Sequence, residues 1–242
     1  MNIENKTVLI TGANRGIGRA LLEEALRRGA KRVYAATRQP FIHSDGRVIR
    51  LTLDVTNGVQ IEQAVSEVGT LDLLFNNAGI CEPDDLSSPE LIERHLAVNF
   101  FGLSNVTRAF LPMLKRSKGA IGNILSLAGL APVPVFAAYS ISKAAALNIT
   151  QSLRAFLAPQ GVTVHAALLG PIDTDMIRDL QIPKTSPDSA AVGIFVGLEN
   201  GEEDIFPDPV SQSIAESWRT GPDKALERQF AAFLPQSLEN VA

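Results

Sequence analysis

Tyr139 and Lys143 stand four positions apart, and Ser126 precedes the tyrosine by thirteen. A phenol, an ammonium and a hydroxyl in this order can move a proton onto or off a carbonyl oxygen. Residues four apart on a helix share a face, so the Lys143 ammonium can lie beneath the Tyr139 ring and favour tyrosinate, whose parent phenol has a pKa of about 10. Ser126, at the end of an apolar run, can donate a hydrogen bond to a substrate oxygen and stabilise charge developing there. The tyrosine-lysine spacing alone is a weak signal. Its weight comes from the company it keeps: a glycine-rich turn at Thr11 to Gly18 and an Asn76-Asn77-Ala78-Gly79 segment lie upstream in workable order.

The glycine-rich turn reads Gly12-Ala13-Asn14-Arg15-Gly16-Ile17-Gly18 after an apolar run and opens a helical pattern. Glycines there let backbone N–H groups approach a pyrophosphate, and the helix N-terminus favours its charge. The spacing is G-x-x-x-G-x-G rather than the commoner G-x-G-x-x-G. The second apolar run ends at Ala35-Ala36-Thr37-Arg38, where an acid would bind the 2'-hydroxyl of an adenosine ribose. No acid is present. Arg38 and Arg15 offer two guanidinium groups suited to a 2'-phosphate, so the expected cofactor is NADP(H). Asp54, followed by Val55, can accept from the adenine amino group or serve simply as a turn or helix-entry residue.

Six runs, Thr7-Ile10, Arg32-Ala36, Val48-Leu53, Leu71-Phe75, Ala120-Leu125 and Val162-Leu168, are nearly continuously apolar. Such runs are the mark of strands buried on both faces of a parallel sheet. Helical stretches alternate with them: Ile17-Arg28, Gly58-Val68, Pro89-Arg116 and Ala137-Ala158, with Ser88-Pro89 supplying a start signal. The expected fold class is α/β, a Rossmann-type doubly wound parallel sheet, and the expected organisation is a single domain over 1–242. About ten residues, interrupted by Pro40, Asp45 and Gly46, separate the second and third strands. That is too few for a crossover helix, which predicts a loop. A substrate loop is expected at about 175–187. The stretch Asp188-Leu198 reads as helix and Ile205-Phe206 as a last short strand, while the tail at about 207–242, with Trp218, takes no assignment from pattern alone.

Over about residues 6 to 176 the chain resembles the short-chain dehydrogenase/reductase family. Thr11 to Gly18 is similar to the family's T-G-x-x-x-G-x-G, Asp54-Val55 to its adenine-contacting pair, and Asn76 to Gly79 to its N-N-A-G. Val98-Asn99 resembles the segment carrying the active-site asparagine, which holds a water linking the lysine to solvent. Ser126, Tyr139 and Lys143 match the catalytic serine and the Y-x-x-x-K, and Gly170-Pro171-Ile172-Asp173-Thr174 resembles the segment beside the nicotinamide. Leu125 departs from the pattern by replacing a frequent neighbouring serine, which leaves Ser126 as the sole candidate hydroxyl. Leu169 stands where proline is usual. The resemblance implies an NADP(H)-dependent oxidoreductase interconverting a carbonyl and an alcohol by hydride transfer. In it Asn99, Ser126, Tyr139 and Lys143 would be catalytic, with Tyr139 as general acid/base. Gly12, Asn14, Arg15, Gly16, Ile17, Gly18, Arg38, Asp54, Val55, Asn76, Ala78, Gly79, Pro171, Ile172 and Thr174 would bind the cofactor together with Tyr139 and Lys143, the lysine bonding the nicotinamide ribose. A non-catalytic NADP(H)-binding sensor or scaffold is the alternative reading. The family also implies a homodimer or homotetramer in which two helices pack against their symmetry mates. Phe100, Phe101, Phe110, Leu147, Leu153, Phe156 and Leu157 give those helices more apolar surface than one contact with the sheet hides.

A net charge of -4 disfavours nucleic-acid and anionic-membrane partners. Cys81 is the only cysteine, and His43, His95 and His165 show no metal-ligand spacing. No signal-like segment or run of 18 apolar residues is found, so the expected location is cytoplasmic. No G-x-S-x-G occurs, and His165 sits inside an apolar run, where a satisfied core histidine is the favoured reading over a hydrolase base. Cys81, without a neighbouring base, reads as pocket lining or packing. Leu127, Val133, Val135, Phe136, Met176, Ile177, Leu180 and Ile182 follow the catalytic strand and the nicotinamide segment. Their apolar character predicts a small carbonyl or alcohol substrate with a hydrophobic body.

Overall fold

The computed structural model describes residues 1–233. Strands β1 (Thr7–Thr11), β2 (Arg32–Thr37), β3 (Val48–Thr52), β4 (Leu73–Asn76), β5 (Ala120–Ser126), β6 (Thr163–Leu169) and β7 (Asp204–Ile205) form one parallel sheet in the order β3-β2-β1-β4-β5-β6-β7. The apolar runs make this possible. Alternate side chains of a strand point to opposite faces, so Val8 and Ile10 join one core layer while Leu9 between them joins the other. Helices α1 (Gly16–Arg27) and α6 (Pro187–Glu199) cover the first layer, with Phe195 edge-on to Phe75 at 5.3 Å between ring centroids. Helices α2 (Gly58–Glu67), α4 (Leu103–Ser117) and α5 (Ala137–Leu157) cover the second. Strand order reverses between β1 and β4, which opens a crevice at their carboxyl ends.

The connection from β2 to β3 contains no helix, as its length predicts. Arg47 secures it by donating from Nη1 to Leu26 O at 3.1 Å and Ala30 O at 3.3 Å.

Two elements differ from the sequence expectation. The stretch read as one helix over Pro89-Arg116 is α3 (Pro89–Leu96), a π-helical segment at Ala97–Gly102, and α4. The wider π turn lies where Gly102 packs on Val55, whose Cγ2 would stand 2.6 Å from an added Cβ. The last strand is Asp204–Ile205 rather than Ile205-Phe206.

The tail forms two helices, α7 (Pro209–Thr220) and α8 (Pro222–Ala231), each with proline in its first turn. Asp208 and Ser211 build a capping box at the start of α7. A buried ion cluster fixes these helices to the sheet. Asp204 pairs with Arg154 Nη2 at 2.8 Å and with Lys224 Nζ at 2.9 Å, and accepts from Trp218 Nε1 at 2.9 Å, while Glu227 binds both cations. Burial pulls the Asp204 carboxyl upward, but Arg154 and Lys224 outweigh it and hold the group below its ordinary range. Trp218 packs against the core patch of Leu147, Leu168 and Phe206. Residues 234–242, the end of the tail expectation, lie outside the described residues.

Candidate active site

A cavity of about 970 Å³ occupies the crevice at the carboxyl ends of the strands. Gly12, Asn14, Arg15, Gly16, Ile17 and Gly18 form one end, with Arg38, Asp54, Val55, Ala78 and Gly79 beside them. Gly12 holds φ of +68°, and a Cβ on Gly18 would lie 2.2 Å from Gly12 O. Only glycine permits that approach, so the turn leaves an open cradle of the shape a pyrophosphate needs. The side chains of Thr11 and Asn77 lock the cradle to the turn after β4. Thr11 Oγ1 accepts from Asn77 N at 2.9 Å and Ala78 N at 3.0 Å, and Asn77 Nδ2 donates to Thr11 O at 2.9 Å and Gly12 O at 3.2 Å. Sequence reasoning quoted Asn77 within its motif without finding this role; the signal was the second asparagine itself, a donor at a tight turn.

Arg38 is exposed at the cavity rim. Arg15 Nη1 pairs with Asp175 at 3.3 Å, which brings the segment after β6 against the glycine turn; Thr174 Cγ2 is 3.2 Å from the point where a Gly16 Cβ would sit. Asp54 accepts from Thr56 N at 2.9 Å and Thr56 Oγ1 at 2.7 Å. Burial raises its carboxyl, yet these bonds and the Arg38 charge bring the net shift below the ordinary value.

At the other end Ser126, Tyr139 and Lys143 line the same cavity. Ser126 closes β5, and its Oγ accepts from Ala128 N at 3.1 Å. Tyr139 lies in the first turn of α5 with Lys143 one turn on, Nζ 5.6 Å from the ring centroid. Lys143 Nζ donates to Ile124 O at 2.8 Å, and burial lowers its pKa to about 8. Burial lifts the Tyr139 phenol above its ordinary range, Cys81 adds to the rise, and a bond with Ser126 opposes it. The phenol is therefore held neutral. The largest cause of the rise is the loss of water around the ring.

Pro171, Ile172 and Thr174 line the cavity, as do Leu127, Val133, Phe136, Met176, Ile177, Leu180 and Ile182. Val135, expected with them, is exposed and outside it. With Leu169 in place of proline, β6 runs on to pair that residue with Ser126, and Gly170 N then donates to Asp208 at 2.8 Å. The loop beyond closes on itself, Thr185 N donating to Pro171 O at 3.0 Å and Asp173 N to Thr185 O at 2.8 Å. Cys81 lines the cavity, and burial raises its thiol to about 11, which makes it an inert wall at neutral pH. Glu82 and Arg94, paired at 2.5 Å on the rim, were missed from sequence because nothing local marks two residues twelve apart as neighbours.

Of the expected catalytic and cofactor-binding residues, two are not cavity-lining. Asn76 is buried, and its Nδ2 donates to Thr107 Oγ1 at 2.9 Å and Asn123 Oδ1 at 2.8 Å, in a polar chain across the sheet. Asn99 is buried in the π segment; its Oδ1 accepts from Ile80 N at 2.9 Å and its Nδ2 donates to Ile80 O and Ser142 Oγ, both at 2.9 Å. Its side chain thus holds the turn after β4 to α5. His165 is a core residue, with Nδ1 on Glu202 O at 2.6 Å and burial lowering its pKa.

The family model described as short chain dehydrogenase matches residues 6–184. The chain belongs to the short-chain dehydrogenase/reductase family. It is 39% identical over 186 residues to the short-chain dehydrogenase srdE of Neurospora crassa, an alignment covering 72% of this chain and 63% of that protein. It is 35% identical over 197 residues to the 3-oxoacyl-acyl-carrier-protein reductase FabG of Escherichia coli, covering 74% of this chain and 79% of the relative. Among solved structures, a short chain dehydrogenase from Burkholderia cenocepacia in complex with NADP superposes with a TM-score of 0.87 at 38% identity, over 97% of this chain and 100% of the other. The protein is therefore an oxidoreductase of this family with its Rossmann-type sheet, and among the described residues no helix is long and apolar enough to cross a membrane.

Proposed function

We propose that the protein is an NADP(H)-dependent oxidoreductase that interconverts a ketone or aldehyde and the corresponding alcohol. The observation that carries this reading is that Ser126, Tyr139 and Lys143 share one cavity with the glycine cradle. Bound in the crevice, the nicotinamide cofactor supplies the hydride. The glycine turn would hold its pyrophosphate, Asp54 and Val55 its adenine, Arg15 and Arg38 its 2'-phosphate, and Pro171, Ile172 and Thr174 its far end. The NADP bound by the relative of 38% identity supports the choice of cofactor.

In reduction, the neutral Tyr139 phenol donates its proton to the substrate oxygen, and the Ser126 hydroxyl steadies the same oxygen as negative charge grows. Lys143, with its pKa near neutrality at about 8, is suited to return a proton to the spent tyrosine. Asn99 acts by posture: it binds the turn after β4 and the Ser142 hydroxyl, which itself donates to Tyr139 O at 2.7 Å. The apolar walls favour a substrate with a hydrophobic body.

A panel of aldehydes, ketones and diketones, followed by loss of reduced-nicotinamide absorbance, tests the reading. Turnover of at least one of them is expected; binding of NADPH without turnover of any would favour a sensor.

The chain is further read as one domain that assembles as a homodimer or a tetramer built from it. Phe110, Leu147 and Leu157 are hidden within the chain, but Phe101, Ile141 and Phe156 remain exposed along α5 and the π segment. Sedimentation at micromolar concentration checks this, and a monomer would contradict it.

A further inference from the structure

The helix that carries Tyr139 and Lys143 starts without a side-chain cap of its own. Phe136 occupies the capping position of α5, and its side chain makes no capping bond to the first turn. The first N–H groups of an α-helix have no intrahelical partner. One of them, Ala138 N, immediately before Tyr139, donates to Asp84 Oδ2 at 2.9 Å. Asp84 is 54 residues away in sequence. Its own backbone is seated against the helix entry, with Asp84 N donating to Val135 O at 3.1 Å and a parallel bridge to Phe136. Its second carboxylate oxygen accepts from Leu86 N at 3.1 Å. Each carboxylate oxygen thus accepts one backbone bond, which together orient the group toward the helix start.

We infer that Asp84 is a positioning residue for the proposed reaction: from the loop after β4 it caps the catalytic helix and fixes Tyr139 and Lys143 relative to Ser126. This rests on the reading of Tyr139 as the acid-base group. The need for such a tether follows from the connection between the two halves of the site. Ser126 ends a strand, Tyr139 begins a helix, and the intervening residues Ala131 to Val135 are all exposed. The connection reaches the first turn through Val133 N, which donates to Ser140 Oγ at 3.0 Å, and Asn99 and Lys143 hold α5 further along through Ser142 and Ile124 O, so Asp84 fixes the very start, at Ala138 N. A carboxylate suits the task, because a charge-assisted bond to a helix N-terminus is stronger than a neutral one and favoured by the helix dipole.

The loop that offers Asp84 is itself held firmly. Asn99 binds both polar groups of the Ile80 backbone, and His95, fully buried, accepts from Glu82 N at 3.1 Å through Nε2 while Nδ1 bonds Leu91 O at 2.7 Å. The chain of support thus runs from α3 and the π segment through residues 80–84 to the first turn of α5. Residues that seat an acid-base group matter to rate out of proportion to their contacts, since a misplacement of about 1 Å can cost about 100-fold.

The test compares Asp84→Ala, Asp84→Asn and Tyr139→Phe in the full chain, using a carbonyl substrate found by the panel and NADPH. Asp84→Ala is expected to lower kcat by about 10- to 100-fold while NADPH affinity holds. It is also expected to speed amide hydrogen exchange at Ala138 to Ser140 but not in the last turns of α5. Asp84→Asn keeps an oxygen acceptor and should recover most of the lost kcat. Wild-type kcat and unchanged first-turn protection in Asp84→Ala would overturn the inference, as would equal losses in the alanine and asparagine variants. If Tyr139→Phe turns over normally, the reaction assignment fails instead, and the exchange pattern alone then decides whether Asp84 caps α5.

Discussion

Lys143 Nζ donates to Ile124 O across a buried gap of 2.8 Å, tying α5 to the strand that ends in Ser126. The same burial that shelters this bond lowers the lysine from 10.5 to about 8. Between those two values the unfolded chain holds a proton that the folded chain has released, so this group makes stability rise with pH across that window. Below it the fold carries the full cost of an interior charge.

Lys143→Met is therefore expected to be more stable than the wild type at about pH 7, with the advantage fading toward about pH 10 as the wild-type ammonium is lost. Denaturant unfolding of the two proteins at both values checks this. A gap that widens with pH would contradict it.

Asp204 is the centre of the tail attachment, with two cations and the Trp218 indole on one buried carboxylate. Asp204→Asn leaves those cations short of a counter-charge, and breaking such a buried pair costs about 3 kcal/mol or more. Trp218 is the only tryptophan, so its fluorescence should report the release of α7 and α8 at lower denaturant than in the wild type. Unchanged stability and an unchanged emission spectrum would show that the cluster does not hold the tail.

This cluster also shows where sequence reading stops. Asp204 closes an acidic run, Glu199 to Asp204, that looks solvated, and its partners Arg154 and Lys224 lie 50 and 20 residues away. Local pattern carries no trace of that pairing. The π segment at Ala97–Gly102 is similarly silent, because the apolar period of α3 runs into that of α4 without a glycine or proline break until Gly102. Signals for the tail were present but unused: Asp208-Pro209 and Gly221-Pro222 are both helix starts. The strands were legible because burial on two faces demands continuous apolar runs. The glycine cradle was legible because positive φ and close backbone approach demand glycine. Asn76 misled because its motif has two adjacent asparagines, and only the fold decides that Asn77 lies at the cavity while Asn76 enters the polar chain to Thr107 and Asn123.

On the proposed reading, cofactor choice depends on Arg38 and Arg15 at the adenosine end. A charged contact to a 2'-phosphate contributes about 1.5 to 3 kcal/mol, so NADP(H) should bind at least about tenfold more tightly than NAD(H). Arg38→Asp should weaken NADP(H) much more than NAD(H). Calorimetric titration of both cofactors against both proteins gives the answer, and equal dissociation constants in the wild type would refute the assignment.

In the proposed mechanism the Tyr139 hydroxyl transfers the proton while the cavity around it stays intact. Steady-state turnover of Tyr139→Phe, measured beside its NADPH affinity and melting temperature, addresses it most directly. Loss of a general acid predicts kcat lower by about 100- to 10,000-fold with binding and stability close to wild type. Turnover near the wild-type rate in a folded, NADPH-binding Tyr139→Phe protein would contradict the account.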